Sequence, residues 1–362
     1  MRVLIAPDSF GETLTAVEAA AAMASGWSAA RPDDDIALAP QSDGGPGFVD
    51  VISGTVGGLR TTRVDGPLDN VTDARWVLAD GVAYIESAQA VGLGLLGGPP
   101  TPGSALRAHS RGVGQLVAAA VDAGARRIVV GLGGSCCTDG GRGMVSALGG
   151  LHRARTRLDG IDLVAATDVE HPLLGEHGAA RVFGPQKGAD AAAIEVLERR
   201  NAAWAAELRD ASGHDVADLD GAGAAGGLGA ALLALGAVRE SGASVVARCT
   251  DQAGQVATSD IVVTGEGKFD HQSLRGKLVT ALAGVATAAG VPTVVIAGQV
   301  AVDRDTIRAA GIVAAFSVAD FAGSVDRAMS EAAPRLEALT SCVAGGWRGA
   351  SGFAPQAPTR EE

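Results

Sequence analysis

Three stretches of this chain close an apolar run with a loop of glycine and acid: SDGGPG (42–47), TDGGRG (138–143) and TGEGKFD (264–270). The first two follow a strand-like run after a short connector, and the third follows one directly. Glycine loses more conformational freedom on folding than any other residue. Dense glycine at the mouth of a strand therefore needs a reason, such as a ligand that meets the backbone itself. In open α/β sheets, ligands bind beyond the carboxyl ends of the strands.

The rest of the chain fits such a sheet. Strand-like RVLIA (2–6) is followed by a helical pattern over 16–30 and by IALAP (36–40). Residues 61–90 differ, with short strands and the turn signals DGP and DG. A helical pattern over 109–125 leads into RRIVVGLGG, and DLVAATDV (162–169) is a strand ending in an acid. The spacing predicts a long helix over 191–213 with Gly213 as its C-cap. Strand then loop at 259–267, helix at 277–290 and strand at 292–298 complete the alternation. The expected architecture is α/β with two domains. A parallel-sheet domain forms from both chain ends, residues 1–65 plus 256–344. A second α/β domain, residues 66–255, is inserted in it, and residues 345–362 form a flexible tail.

Charge and cysteine narrow the function classes. The net charge of −12 argues against nucleic acid or an anionic membrane as partner, because both draw most of their affinity from basic patches. The four cysteines show no metal-ligand or disulfide spacing. Cys136 and Cys137 read as small packing residues, and the scattered histidines as surface or packing residues. MRVLIAPDSF lacks the apolar length of a signal peptide, and no apolar run reaches the ~18 residues of a membrane span. A cytoplasmic protein acting on a small molecule is expected, and a homodimer is compatible with this.

Glycine loops let backbone N–H groups converge on an anion, and a following helix adds its positive N-terminal dipole. Their acids would repel bare phosphate, but Mg²⁺ prefers carboxylates together with phosphate oxygens. The loops thus suggest a Mg-nucleotide. D-G-G is also ordinary turn chemistry, and the recurrence of three related loops argues for more than that. The dinucleotide pattern G-x-G-x-x-G fails at Cys136, which disfavours a nicotinamide dehydrogenase, and no P-loop or nucleophile-elbow motif is present. Lys187, between glycines in FGPQKGA (183–189), either reaches a phosphate or projects into solvent. Lys277 opens a helix, where the dipole disfavours it, so anion binding would explain it.

Taken in order, APDSF (6–10), SDGGPG (42–47), GLGGSCCTDGG (131–141), ATDVEHPLLG (166–175), FGPQKGA (183–189), GAGAAGGLGAAL (221–232) and TGEGKFDHQSLRGK (264–277) resemble one family, the bacterial glycerate kinases of type I. The resemblance spans about residues 1–340. It implies an ATP- and Mg²⁺-dependent kinase that phosphorylates a hydroxyl of D-glycerate, usually giving 2-phosphoglycerate, with one of its two α/β domains flavodoxin- or Rossmann-like. The chain departs from the family pattern at Gly11, where a lysine is usual, and at Pro46, where an acid is usual. It also departs at Phe48, at Cys136 to Thr138, and at His171. These changes leave open another small hydroxy acid or polyol as acceptor, or a non-catalytic nucleotide-binding relative.

Phosphoryl transfer rests on positioning and charge neutralisation. Asp139 and Glu266 are the expected Mg²⁺ ligands. Backbone donors to phosphate are expected at Gly133, Gly134, Ser135, Gly140, Gly141, Gly265 and Gly267. Lys187 and Lys277 would stabilise the transferring group, and Asp43, Asp168 and Asp270 are alternatives for orienting or deprotonating the acceptor hydroxyl. Asp8, Ser9, Gly44 and Gly45 would contact the substrate.

Overall fold

The computed structural model describes residues 1–271, 273–274, 278–349 and 352. Its strands, in chain order, are β1 (Arg2–Ile5), β2 (Asp35–Leu38), β3 (Leu59–Asp65), β4 (Val71–Ala79), β5 (Val82–Glu86), β6 (Arg127–Gly131) and β7 (Asp162–Ala166), followed by β8 (Val238–Glu240), β9 (Ile261–Thr264), β10 (Lys268–Phe269), β11 (Thr293–Ala297), β12 (Gln299–Val300) and β13 (Ile312–Ser317). The chain divides into two compact units. One joins Met1–Ser42 to Ala247–Glu362, and the other is Asp43–Val246.

The unit built from both chain ends holds a five-stranded sheet in the order β13-β11-β9-β1-β2, parallel throughout. Counted within the unit this is the flavodoxin order, 2-1-3-4-5, with its switch point between β1 and β9. The runs VLI, IVV and VVI are fully buried, as strands covered by helices on both faces must be. One face packs against the helices Ala16–Ala30 and Ala332–Gly346 through Met23, Trp27, Leu336 and Leu339. Leu282 and Ala286 of the helix Leu278–Ala288 cover Leu4 and Val262 on the other. The helix Ala16–Ala30 starts where the sequence predicts, fixed by a reciprocal cap. Thr15 Oγ1 accepts from Glu18 N at 3.2 Å, and Glu18 Oε2 accepts from Thr15 N at 2.9 Å.

The other unit holds a six-stranded sheet ordered β3 to β8. β3, β4 and β5 pair antiparallel, and β5 to β8 run parallel. This mixed sheet explains the altered pattern of residues 61–90. The helix Ala191–Ser212 ends at Gly213, whose N–H bonds Arg209 O with φ 83°, as the sequence predicts.

The division falls at 42/43 and 246/247, where boundaries at 65/66 and 255/256 were expected. β3 pairs with β4 over seven residues, and Phe48 of the helix Phe48–Val56 meets the Tyr84 ring edge-on, so both elements belong with Asp43–Val246. Val256 packs on Leu4 and Val262, in the unit of the chain ends. Packed structure also runs beyond the expected end at 344, since Trp347 is 2 % exposed in the cluster with Trp27. Of the expected tail, residues 350, 351 and 353–362 lie outside the described residues. No helix among the described residues is long and apolar enough to cross a membrane.

Candidate functional site

The expected site residues gather at two strand edges, one on each unit. On Asp43–Val246 the loop after Ser42 lies over the C-terminal ends of β6 and β7. Gly44 has φ 91°, and a Cβ there would stand 2.8 Å from Ala166 O. A Cβ on Gly133 would stand 2.5 Å from Gly45 Cα, so the two glycine loops meet backbone to backbone. Asp43 is exposed, and its Oδ1 accepts from Gly45 N at 3.0 Å. Asp168, also exposed, follows β7, and its Oδ2 accepts from Ala243 N at 3.3 Å. Gly242, the neighbour of Ala243, abuts Asp43 O. Asp43 and Asp168 therefore flank the start of one helix, Gly242–Cys249.

The loop 131–141 has two halves. In the first, the carbonyls are pinned. Gly133 O accepts from Ser87 Oγ at 3.3 Å, and Gly134 O accepts from Leu93 N at 3.2 Å. Among the described residues no acceptor takes the N–H groups of Gly133, Gly134 or Ser135. Three successive unpaired donors, with Gly134 at φ 64°, have the donor pattern of an anion cradle. Lys187 lies beneath it and is 2 % exposed. Its Nζ donates to Ser135 Oγ at 2.9 Å and Cys137 O at 2.7 Å. Burial pushes its pKa below the ordinary lysine value. The lysine does not project into solvent but places a charge under the donors. Cys136 and Cys137 are buried packing residues. Burial pushes the Cys136 thiol up to about 11 and holds the Cys137 thiol well above its ordinary value.

The second half is occupied by the protein itself. Asp139 Oδ2 accepts from Ser110 N at 2.8 Å, Ser110 Oγ at 2.9 Å and Gly143 N at 2.9 Å, and Oδ1 accepts from Gly141 N at 3.1 Å. Three donors meet Oδ2 and one meets Oδ1, so this carboxylate, expected to bind Mg²⁺, is engaged by the fold at both oxygens. Gly140 N donates to Gly226 O at 3.0 Å. Both Gly140 and Gly141 thus spend on the fold the N–H groups expected to bind phosphate.

Sequence reading passed over Glu86. It ends β5, is 2 % exposed, and its Oε2 accepts from Gly47 N and Val49 N, each at 3.1 Å. Burial, reinforced by nearby Asp50, raises its pKa to about 7 against the lowering effect of these bonds. Ser87 beside it donates its N–H to Gly131 O at 3.0 Å. Residues 86 and 87 therefore tie both glycine loops to β5. The only signal in the sequence was an acid closing an apolar run in VAYIES, the form also shown by Asp8 and Asp168.

On the unit of the chain ends, the loops after β1, β9 and β11 converge at the switch point. Asp8 N donates to Gly265 O at 2.8 Å, and Gly267 N donates to Ser9 O at 3.2 Å, so this N–H too is committed within the protein. Ser9 N donates to Asp8 Oδ1 at 2.7 Å. Gly298 N donates to Glu266 O at 3.0 Å, and Lys268 Nζ lies 3.3 Å from Asp270 Oδ2. A cavity of about 310 Å³ opens beside these loops, lined by Phe10, Gly11, Gly267, Gln299, Met329 and Leu336 among others. Lys277 lies outside the described residues.

Among the described residues no three His, Cys, Asp or Glu side chains converge as a metal cage. Mg²⁺ bound with phosphate oxygens and water needs only one or two carboxylates. Glu266 at the switch-point edge, and Asp43 and Asp168 beside the cradle, have that chemistry.

A flavodoxin-ordered unit and a mixed α/β unit, the second with a run of unpaired N–H groups beside a buried lysine, define a two-unit α/β protein. The chain belongs to the glycerate kinase family, whose model matches residues 3–154 and 150–348. It is 38% identical over 356 residues to the glycerate 2-kinase of Escherichia coli (strain K12), covering 91% of this chain and 93% of that one. It is 57% identical over 357 residues to an uncharacterized protein of Mycobacterium tuberculosis (strain CDC 1551 / Oshkosh), covering 98% and 94%. A crystal structure from Salmonella typhimurium LT2, described as a glycerate kinase 2, superposes with a TM-score of 0.77 at 34% identity, covering 95% of this chain and 97% of that one.

Proposed function

We propose that this chain is an ATP- and Mg²⁺-dependent kinase that phosphorylates a hydroxyl of D-glycerate, with 2-phosphoglycerate as the product. The observation that carries this reading is the run of unpaired N–H groups at Gly133, Gly134 and Ser135 over the buried Lys187 ammonium. Donors fixed before reaction stabilise charge on a transferring phosphoryl group without reorganising. Asp168 is the proposed base. One oxygen is held by Ala243 N, and Oδ1 has no partner among the described residues. Oδ1 accepts the acceptor hydroxyl's proton as the oxygen bonds to the γ-phosphorus and the bond to the ADP oxygen breaks. Asp43 is the alternative base.

The cavity beside Phe10, Gly267 and Gln299 is proposed to take the nucleoside, its apolar wall stacking on the base and Gln299 offering polar groups. Glu266 is the proposed metal ligand at that edge. Mg²⁺, when bound, neutralises the phosphate oxygens. Asp8, Ser9 and Asp270 are proposed to shape the same edge.

One observation favours a different acceptor. The Pro46 ring lies where a Cβ on Gly134 would touch it at 2.6 Å, so an apolar ring borders the cradle at the position where an acid resembling the family pattern is expected. A coupled ADP-release assay with ATP, Mg²⁺ and D-glycerate, beside a panel of small hydroxy acids and polyols, tests both readings. Turnover with glycerate supports the first, and turnover only with another acceptor supports the second. ATP binding without any turnover overturns both in favour of a non-catalytic relative.

A further inference from the structure

Asp139 also forms the back of a cavity of about 430 Å³ on the Asp43–Val246 unit. Its lining carries Arg107, His109, Arg111, Arg142 and Arg200, with Asp139 as its one acid. One carboxylate against four arginines leaves the lining net positive. In a chain of net charge −12, this is a local reversal of sign.

The acids that do pair with these side chains lie outside the lining. Arg111 Nε meets Asp65 Oδ2 at 3.1 Å, His109 Nε2 meets Asp69 Oδ1 at 3.0 Å, and Arg142 pairs with Glu207. Such half-exposed pairs are weak, and an incoming anion can compete with them. Arg142 is also held over the Trp204 ring, 4.8 Å from its centroid. Arg107 and Arg200 have no carboxylate partner among the described residues. Each uses one N–H on a carbonyl: Arg107 Nε on Gly103 O at 3.3 Å, and Arg200 Nη1 on Leu106 O at 2.8 Å. Those bonds orient the two guanidiniums and leave their other N–H groups for a ligand. Leu106, Ala108 and Leu197 supply an apolar wall.

We infer that this arginine-lined cavity is a binding site for the phosphate group of a small molecule, separate from the glycine cradle. Paired guanidinium forks match phosphate oxygens in geometry as well as charge. The apolar wall suits a short carbon chain carrying that phosphate. Only the ATP controls of its test rest on the kinase reading; the anion titration does not, so loss of anion binding and absence of ATP turnover are separate outcomes.

The test is calorimetric titration of the full chain, saturated with a non-hydrolysable ATP analogue, with inorganic phosphate and with glycerol 3-phosphate. Wild-type protein is expected to bind at least one of them. Tighter binding of the ester assigns the site to an organic phosphate, and equal binding assigns it to free phosphate. The exposed pair Arg107→Ala/Arg200→Ala should weaken binding by roughly tenfold or more. Arg107→Lys/Arg200→Lys should fall between the two, because it keeps the charge and loses the fork. The KM for ATP of both variants should stay within about twofold of wild type. Failure of wild type to bind either anion, equal binding by the alanine pair, or a KM for ATP that rises in step with lost binding overturns the proposal.

Discussion

Glu86 ought to make the protein less stable at neutral pH than in mild acid, and Glu86→Gln ought to remove that dependence. The carboxyl is 2 % exposed, and its pKa is raised from 4.5 to about 7, mainly by burial. A folded-state pKa above the unfolded value means that the native state binds the proton more tightly. Between pH 4.5 and 7 the native state holds a proton that the unfolded chain has released, so stability falls across that window as pH rises. The shift corresponds to about 3 kcal/mol, fully expressed above pH 7. Both backbone donors, Gly47 N and Val49 N, bond the same oxygen, Oε2. A glutamine whose amide oxygen takes that place keeps both bonds and carries no charge. Urea unfolding of the two proteins from pH 4.5 to 8 reads the difference directly. The variant should match wild type near pH 4.5 and exceed it by about 2–4 kcal/mol at pH 8. A constant difference across this range, or a variant less stable at pH 8, would refute the assignment of a buried, reluctantly charged carboxylate.

Asp139→Asn should lower stability by about 1–3 kcal/mol, because even with the amide oxygen turned to Ser110 and Gly143 its NH2 faces the Gly141 N–H, a donor itself. Mg²⁺ affinity, measured by titration of folded protein, should not change, and a loss would return Asp139 to the metal. Lys187→Met should cut turnover by roughly 10²–10³ through loss of charge beneath the cradle. Its denaturation midpoint should fall only modestly, and unchanged turnover would remove Lys187 from the phosphoryl site. Asp168→Asn should reduce kcat by roughly 10²–10⁴ with the KM for ATP unchanged. Full activity in that variant would move the base to Asp43.

The sheet of the chain ends was legible because its three central strands, β1, β9 and β11, are buried apolar runs separated by helical patterns. Thr15 with Glu18, and Gly213, mark helix ends by local chemistry alone. The unit boundaries were less legible because they are set by pairing between distant residues. β3 belongs to its unit through its ladder with β4, and nothing within LRTTRVD announces that partner. The site was legible as a set of loops, and the roles within it were not. Lys187 could be read either as a solvent-facing cation or as a phosphate contact until its ammonium was found under Ser135. Glu86 was invisible because burial, which gives it its character, depends on a helix start that arrives from residues 47–49.

The two D-G-G loops show where a sequence motif stops carrying information. In SDGGPG and TDGGRG the aspartate does the same local thing: its Oδ1 accepts from the N–H two residues on, at 3.0 Å for Asp43 and 3.1 Å for Asp139. That is ordinary aspartate turn chemistry, and it explains why the two loops are spelled alike. The remaining oxygen separates them. At Asp139, Oδ2 is enclosed by Ser110 and Gly143 and ties together the starts of the helices Arg111–Asp122 and Arg142–Ala147. Asp43 stays exposed beside the cradle, in the same neighbourhood as Asp168. That difference supports the proposal of Asp168 or Asp43, both exposed, as the base, with Asp139 proposed to hold the starts of two helices beside the glycine loop.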